Sequence, residues 1–255
     1  SPLFQSRPII SHTSVLCCEL CSCFVVLQVK VTLALLHYKL ELVKKPNGTK
    51  EFPARTCKDL LMCYPGLQSG EFWVDPNEGI TEDAIKVYCD FSFNATCLYS
   101  SKENKPFASK RKKWYSGPDV YKWLGEDLGM FQKIKYVKFS SQLSFLRLLS
   151  DRARQNITYH CRDSVAWYDE QLNDVTKSIR IKTSNGVIID SSSSNKFKPN
   201  VLTDNCRVKN GTWLYTIIQV DTSKPNRLPV LDVAAYDIGD EKEEFGLEIG
   251  PVCFY

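Results

Sequence analysis

The stretch FWVDPNEGITEDAIKVYCD, residues 72–90, decides how the rest of the chain reads. An aromatic strand entry at Phe72 and Trp73 runs into a tight turn at Asp75-Pro76-Asn77, with Gly79 just beyond it. Asp83 follows, and then an apolar run that ends at Cys89. Oxygen side chains at i, i+2 and i+8 around a turn suit a hard divalent cation such as calcium, which takes about six to eight oxygens and accepts backbone carbonyls among them. On that reading Asp75, Asn77 and Asp83 supply side-chain oxygens, and Glu78 and the carbonyl of Ile80 add to them. The pattern is not an EF-hand: the glycine falls fifth rather than sixth, and the twelfth residue is Lys86 rather than glutamate. An Asx-turn between two strands, with no metal, accounts for the same residues.

The chain has 255 residues, enough for one large domain or two small ones, and 43% are apolar, enough for a sizeable core. A net charge of +4 is small for this length. The basic run Lys110 to Lys113 stands alone and reads as a solvated loop, so a nucleic-acid partner is not expected. The 11 cysteines form two groups. Cys17, Cys18, Cys21 and Cys23 crowd the N-terminus; Cys57, Cys63, Cys89, Cys97, Cys161, Cys206 and Cys253 are spread out. Spread cysteines without paired C-x-x-C knuckles point to disulfides rather than zinc, and the odd number leaves one thiol that can join chains. N-x-[ST] sequons at Asn47, Asn94, Asn156 and Asn210 fit a secreted protein. Residues 1–31 are unassigned, as an atypical or truncated N-terminal segment. The apolar stretch Ser14 to Leu36 contains Glu19 and Lys30, a poor membrane span, and lacks the layout of a signal peptide.

Leu33, Leu36, Leu40 and Val43 are spaced three, four and three, which is both a coiled-coil seam and the pattern of a short helix packed on its own domain. Pro46, Asn47 and Gly48 close that helix. Ala54 to Leu60 reads as helical. Residues 100–136, with Trp114, Tyr115, Tyr121 and Trp123, read as long loops. Gln142 to Arg154 is the best helix by periodicity, with Leu143, Phe145, Leu146, Leu148 and Leu149 as its core-facing side. Strands are expected at Asn94 to Tyr99, Ile157 to Cys161, Val165 to Tyr168, Ser178 to Lys182, Val187 to Ile189, Thr212 to Val220, Leu228 to Val233 and Phe245 to Phe254. The sum is an α+β domain with a mostly antiparallel sheet. No catalytic pattern emerges. His160 and Cys161 are neighbours on one strand and point to opposite faces. Asp237 and Asp240, in the polar loop Asp237 to Glu244, read as solvated surface.

From about Leu33 to Tyr255 the chain resembles the C-terminal propeptides of fibrillar procollagens, nearest to the group of types I, II, III and V. The resemblance rests on ARTCKDL (54–60), FWVDPNEG (72–79), DAIKVYCDF (83–91), QLSFLRLLS (142–150), QNITYHC (155–161) and FGLEIGPVCF (245–254). It implies a disulfide-bonded domain of fibrinogen-like shape at 54–255, preceded by a coiled-coil stalk at 32–46. Such domains assemble in the endoplasmic reticulum, bring three procollagen chains together, select partners and set the register of the triple helix in a secreted matrix protein. The resemblance further implies calcium at Asp75, Asn77, Glu78, the Ile80 carbonyl and Asp83. It implies the disulfides Cys57–Cys89, Cys97–Cys253 and Cys161–Cys206, a glycan on Asn156, and a stalk seam of Leu33, Leu36, Leu40 and Val43. The chain-recognition segment falls at about Gly125 to Gln142. One departure stands out: the family's interchain bond joins the cysteine matching Cys63 to a second one where this chain has Ile80. A homotrimer is therefore expected not to close that covalent ring: Cys63 pairs with a chain that keeps the missing cysteine or stays free, and of the homo- and heterotrimers that two further procollagen chains could form, the heterotrimer is favoured. A secreted fibrinogen-like recognition domain that binds a ligand without trimerising is the alternative function.

Overall fold

The structure, a computed structural model, describes residues 12–100, 107–108, 115–129, 136, 140–193 and 198–255, with backbone alone for 12–24, 42–44 and 107–108. The basic run at 110–113, Trp114, and much of the expected chain-recognition segment lie outside the described residues, as do the side chains of Val43 and of the four N-terminal cysteines. The chain divides into two units, Ser1–Pro46 and Asn47–Tyr255.

The first unit holds one helix, α1 (His12–Lys44), which begins well upstream of the expected stalk. Its described apolar side chains lie open to solvent, Leu33, Leu36 and Leu40 among them at 53–60% exposure. No helix among the described residues is long and apolar enough to cross a membrane.

The second unit is an α+β domain. Its helices are α2 (Cys57–Cys63) and α3 (Ser140–Leu148). Its strands are β1 (Gly70–Val74), β2 (Ile85–Asp90), β3 (Ala95–Leu98), β4 (Phe107–Ala108), β5 (Lys122–Trp123), β6 (Ala153–Arg162), β7 (Arg180–Thr183), β8 (Ile188–Ile189), β9 (Asn200–Asp204), β10 (Leu214–Thr222), β11 (Val230–Ala235) and β12 (Glu244–Phe254). The larger sheet runs β1-β2-β3-β12-β6-β10-β9, with β4 also on β12; the smaller runs β5-β11-β7-β8. All these pairings are antiparallel. The period-2 pattern explains β6: Ala153, Gln155, Ile157, Tyr159 and Cys161 turn inward, and their alternates face outward or sit half-buried. Its register sets Ile157 opposite Ile218 on one side and Ile249 on the other, all three fully buried. Next to them Tyr159 stacks on Phe245 with centroids 6.3 Å apart. β12 is interrupted between Ile249 and Val252, where Gly250 passes so close to the Asn156 carbonyl that a Cβ would lie 3.0 Å from it. Pro251, which has no N–H to give a ladder, occupies this bulge.

Disulfides join Cys57 to Cys89, Cys97 to Cys253 and Cys161 to Cys206, the three pairs named above. They tie α2 to β2, β3 to β12, and β6 to the turn after β9. Each removes chain entropy from the unfolded state, worth about 2–4 kcal/mol.

Five readings need correction. The helix expected at Ala54 to Leu60 starts at Cys57, because Thr56 caps it and Ala54 forms a parallel bridge to Val74. The helix expected through Arg154 stops at Leu148. The Ser150 hydroxyl bonds back to the Leu146 carbonyl, Asp151 donates to Tyr255 and Tyr255 to Arg152, and the chain then enters β6. On α3 the fully buried residues are Gln142 and Leu146, whereas Phe145, Leu148 and Leu149 are exposed. Val165 to Tyr168 is not a strand; it is a buried irregular segment. Finally, Asp237 is fully buried rather than solvated, and Glu243 nearly so.

Candidate metal centre

β1 delivers the loop and β2 receives it. The Asp75 amide donates to the Ala54 carbonyl (2.7 Å), so the strand's outer edge is fastened just where the loop begins. The Glu78 amide then donates to the Asp75 carbonyl (3.0 Å), and Glu78 adopts a left-handed φ of 51°. A short 3-10 turn, Thr81–Asp83, brings the chain back to β2.

Asp75, Asn77 and Asp83 share one hydrogen-bond network. The Asn77 Nδ2 donates to Asp83 Oδ2 (3.1 Å), and Asn77 Oδ1 accepts from the Gly79 amide (3.1 Å). The residue that closes the network was not singled out from the sequence. Gln142, fully buried at the start of α3, donates from Nε2 to Asp75 Oδ1 (2.6 Å) and to Asn77 Oδ1 (3.0 Å), and its Oε1 accepts from the Asn77 amide (3.3 Å). Of the two remaining expected ligands, Glu78 is exposed and Ile80 holds its side chain in solvent. The Ile80 carbonyl accepts the Asp83 amide at 3.2 Å, which leaves its second lone pair.

The electrostatics of the loop are unbalanced. Burial raises the Asp75 carboxyl above its usual range. The Gln142 hydrogen bond offsets part of the rise, and the charges of Asp83 and Glu78 add to it. Asp83 Oδ1 is buried and has no hydrogen-bond partner. A buried carboxylate oxygen left unmatched is costly. Hard oxygens from two aspartates, an asparagine and a carbonyl, one of them orphaned, form a donor set that fits a calcium-like ion.

A second acidic cluster lies elsewhere in the domain. Asp119, Asp237 and Glu243 bring carboxylate oxygens within 4.8 Å of one another. Here, however, two ammonium groups are built in. Lys177 Nζ meets Asp237 Oδ1 (2.8 Å) and Asp169 Oδ2 (3.3 Å), and Lys209 Nζ meets Asp237 Oδ2 (2.7 Å) and Glu243 Oε1 (2.9 Å). The Val165 amide also donates to Asp237 Oδ2 (2.8 Å). Against its burial, bonds from Lys177 and Lys209 hold the Asp237 carboxyl below the usual range, and Lys209 is raised by the same contacts. Asp237 and Glu243 thus carry built-in counterions.

The other expected positions are separate from the loop. Cys63, half-buried at the C-terminal end of α2, is unbridged. Asn156 is exposed on β6, its Oδ1 accepting from Gln219 Nε2 (3.0 Å). Cys161 is held in a disulfide, while His160 Nε2 lies 3.5 Å from Glu248.

A family model described as the fibrillar collagen C-terminal domain matches residues 26–254. The chain is 42% identical over 236 residues to the collagen alpha-1(II) chain of Xenopus tropicalis, covering 89% of this chain and 16% of that one. It is 41% identical over 236 residues to the collagen alpha-2(I) chain of Oryctolagus cuniculus, covering 89% and 44% respectively. To the collagen alpha-2(I) chain of Oncorhynchus mykiss it is 41% identical, covering 89% and 17%. The chain thus spans less than half the length of each of these relatives.

Proposed function

The chain belongs to the fibrillar collagen C-terminal domain family, a structural and non-enzymatic family of the extracellular matrix, and from that premise we propose that it is a calcium-dependent trimerisation module for procollagen chains. Three Gly-X-Y strands nucleate slowly, because the entropy of aligning them is lost before any contact repays it. A folded trimer joined to their ends supplies the nucleus at high effective concentration.

The observation that carries the calcium reading is the buried, unpartnered Asp83 Oδ1 in a loop that also holds Asp75 and Asn77 in one hydrogen-bond network. Asp75, Asn77, Asp83 and the Ile80 carbonyl would hold the ion, with Glu78 at the open side. The ion would supply positive charge where the loop has none of its own, and so fix the turn between β1 and β2. The stalk reading is supported by α1, where Val26 and Val29 extend the three–four spacing upstream of Leu33 and are themselves exposed. Asn156, exposed on its strand, is the proposed glycan site.

Partner choice follows from position 80. Ile80 stands 66% exposed where a thiol would be needed to pair with Cys63. Cys63 is proposed to bond a different procollagen chain that carries that cysteine. Sedimentation of the singly expressed chain, with calcium and with chelator, tests the assembly. A calcium-dependent trimer without Cys63-linked oligomers on a non-reducing gel is expected. A monomer at micromolar concentration in calcium favours the ligand-binding alternative, and Cys63-linked homotrimers refute the partner proposal.

A further inference from the structure

The sequon at Asn210 combines full exposure with a turn geometry that, among the other three, only half-buried Asn47 repeats. Asn210, Gly211 and Thr212 are all exposed, in the loop between β9 and β10. The loop is pinned at its tip: the Gly211 amide donates to Asp163 Oδ1 (2.7 Å), and Arg162 Nε donates to the Gly211 carbonyl (2.9 Å). Gly211 takes a φ of 73°, the left-handed conformation that glycine tolerates best. Within the turn, both the hydroxyl and the amide of Thr212 donate to Asn210 Oδ1, at 2.7 and 3.0 Å.

Two donors on one amide oxygen draw electron density toward it and make the Nδ2 protons more acidic. At Asn47 the same contacts form, from Thr49 Oγ1 at 2.8 Å and Thr49 N at 3.1 Å, but the asparagine is half-buried beside buried Gly48. At Asn94 the asparagine is exposed, yet Thr96 is buried at 2% exposure and its hydroxyl accepts from the Cys57 amide. Asn156 and Thr158 lie along an extended strand, and the Asn156 oxygen is taken by Gln219.

We propose that Asn210 is an N-glycosylation site of this chain, additional to Asn156. The donor is a lipid-pyrophosphate-linked oligosaccharide. A bond forms between Asn210 Nδ2 and the C1 carbon of the sugar as the C1–oxygen bond to the pyrophosphate breaks. One proton leaves Nδ2 for a base of the transferase, the lipid pyrophosphate departs, and nothing is oxidised or reduced. The proposal rests on the secretory reading and is independent of calcium and of trimerisation.

The test uses the full chain secreted from cultured animal cells. Release of N-glycans by peptide N-glycosidase in 18O-water turns each modified asparagine into an 18O-labelled aspartate, which peptide mass spectrometry locates. Label at both Asn156 and Asn210 is expected, and Asn210→Gln and Thr212→Ala should each remove one glycan step on a gel while leaving the Asn156 label in place. Label at Asn156 with none at Asn210 overturns the proposal alone. Label at neither overturns it together with the Asn156 assignment.

Discussion

Two groups of carboxylates among the described residues solve the same problem in opposite ways. Around Asp237 the negative charge meets cations from within: two lysine ammoniums reach four acidic oxygens at 2.7–3.3 Å, and Asp169, Asp237 and Glu243 are buried. Around Asp75 the bonds to the carboxylates come from neutral amides, those of Gln142 and Asn77, and one oxygen of Asp83 is left over. Dipoles orient a carboxylate, but they do not cancel its charge. Proximity of acids is therefore a poor sign of a metal site, and the absence of a built-in counterion is a better one. The trio whose carboxylates gather within 4.8 Å among the described residues is the one with ammonium groups built in beside it.

The comparison breaks first at the buried cluster. Asp237→Asn removes the buried carboxylate that Lys177 and Lys209 share and leaves them Asp169 and Glu243 alone, so it is expected to cost about 3 kcal/mol in urea unfolding, with or without calcium. The loop should respond to the ion instead. At calcium a hundredfold above Kd the wild-type domain should gain about 2.7 kcal/mol, and Asp83→Asn should abolish most of that gain while changing the metal-free stability little. Equal gains in both proteins would assign the ion to some other site. Gln142→Leu removes the clamp between α3 and the loop, leaving the Asn77 amide and Asp75 Oδ1 short of partners. A loss of about 1–3 kcal/mol is expected, together with weaker calcium binding, and Gln142→Glu should not restore the donor to Asp75.

The smallest effect, and the sharpest in sign, is that of pH. The Asp237 carboxyl is depressed in the folded state, so its contribution is present above the unfolded aspartate value of about 3.9 and disappears as the pH falls through the folded pKa. The Asp75 carboxyl is raised, so in metal-free protein its contribution is present at low pH and is lost as the pH rises through the folded pKa. Difference profiles of Asp237→Asn and Asp75→Asn against wild type should therefore slope in opposite directions in acid. Parallel slopes would show that the two regions are electrostatically alike.

What was legible follows the range of the interactions. Period-2 alternation and β-branched runs marked β6, β10 and β12, because each is read from its own residues. The proposed oxygen ligands lie within nine residues of one another, so the turn could be seen without the fold. Gln142 could not: it sits 67 residues from Asp75 and looks like a polar residue opening an apolar helix. Asp237 looked solvated because its neighbours are polar, while the lysine that seals it on one side is 60 residues away. The end of α3 was misread because QLSFLRLLSDRAR keeps helical composition through Arg154, and only the pairing of Asp151 and Arg152 with Tyr255 turns the chain into a strand.

The most direct measurement is a calorimetric titration of calcium into the metal-free domain and its Asp83→Asn variant. One ion per chain in the wild type, with affinity falling by about tenfold or more in the variant, is the expected result. No binding in the wild type, or undiminished binding in Asp83→Asn, would contradict the claim that the loop's uncompensated oxygens are a calcium site.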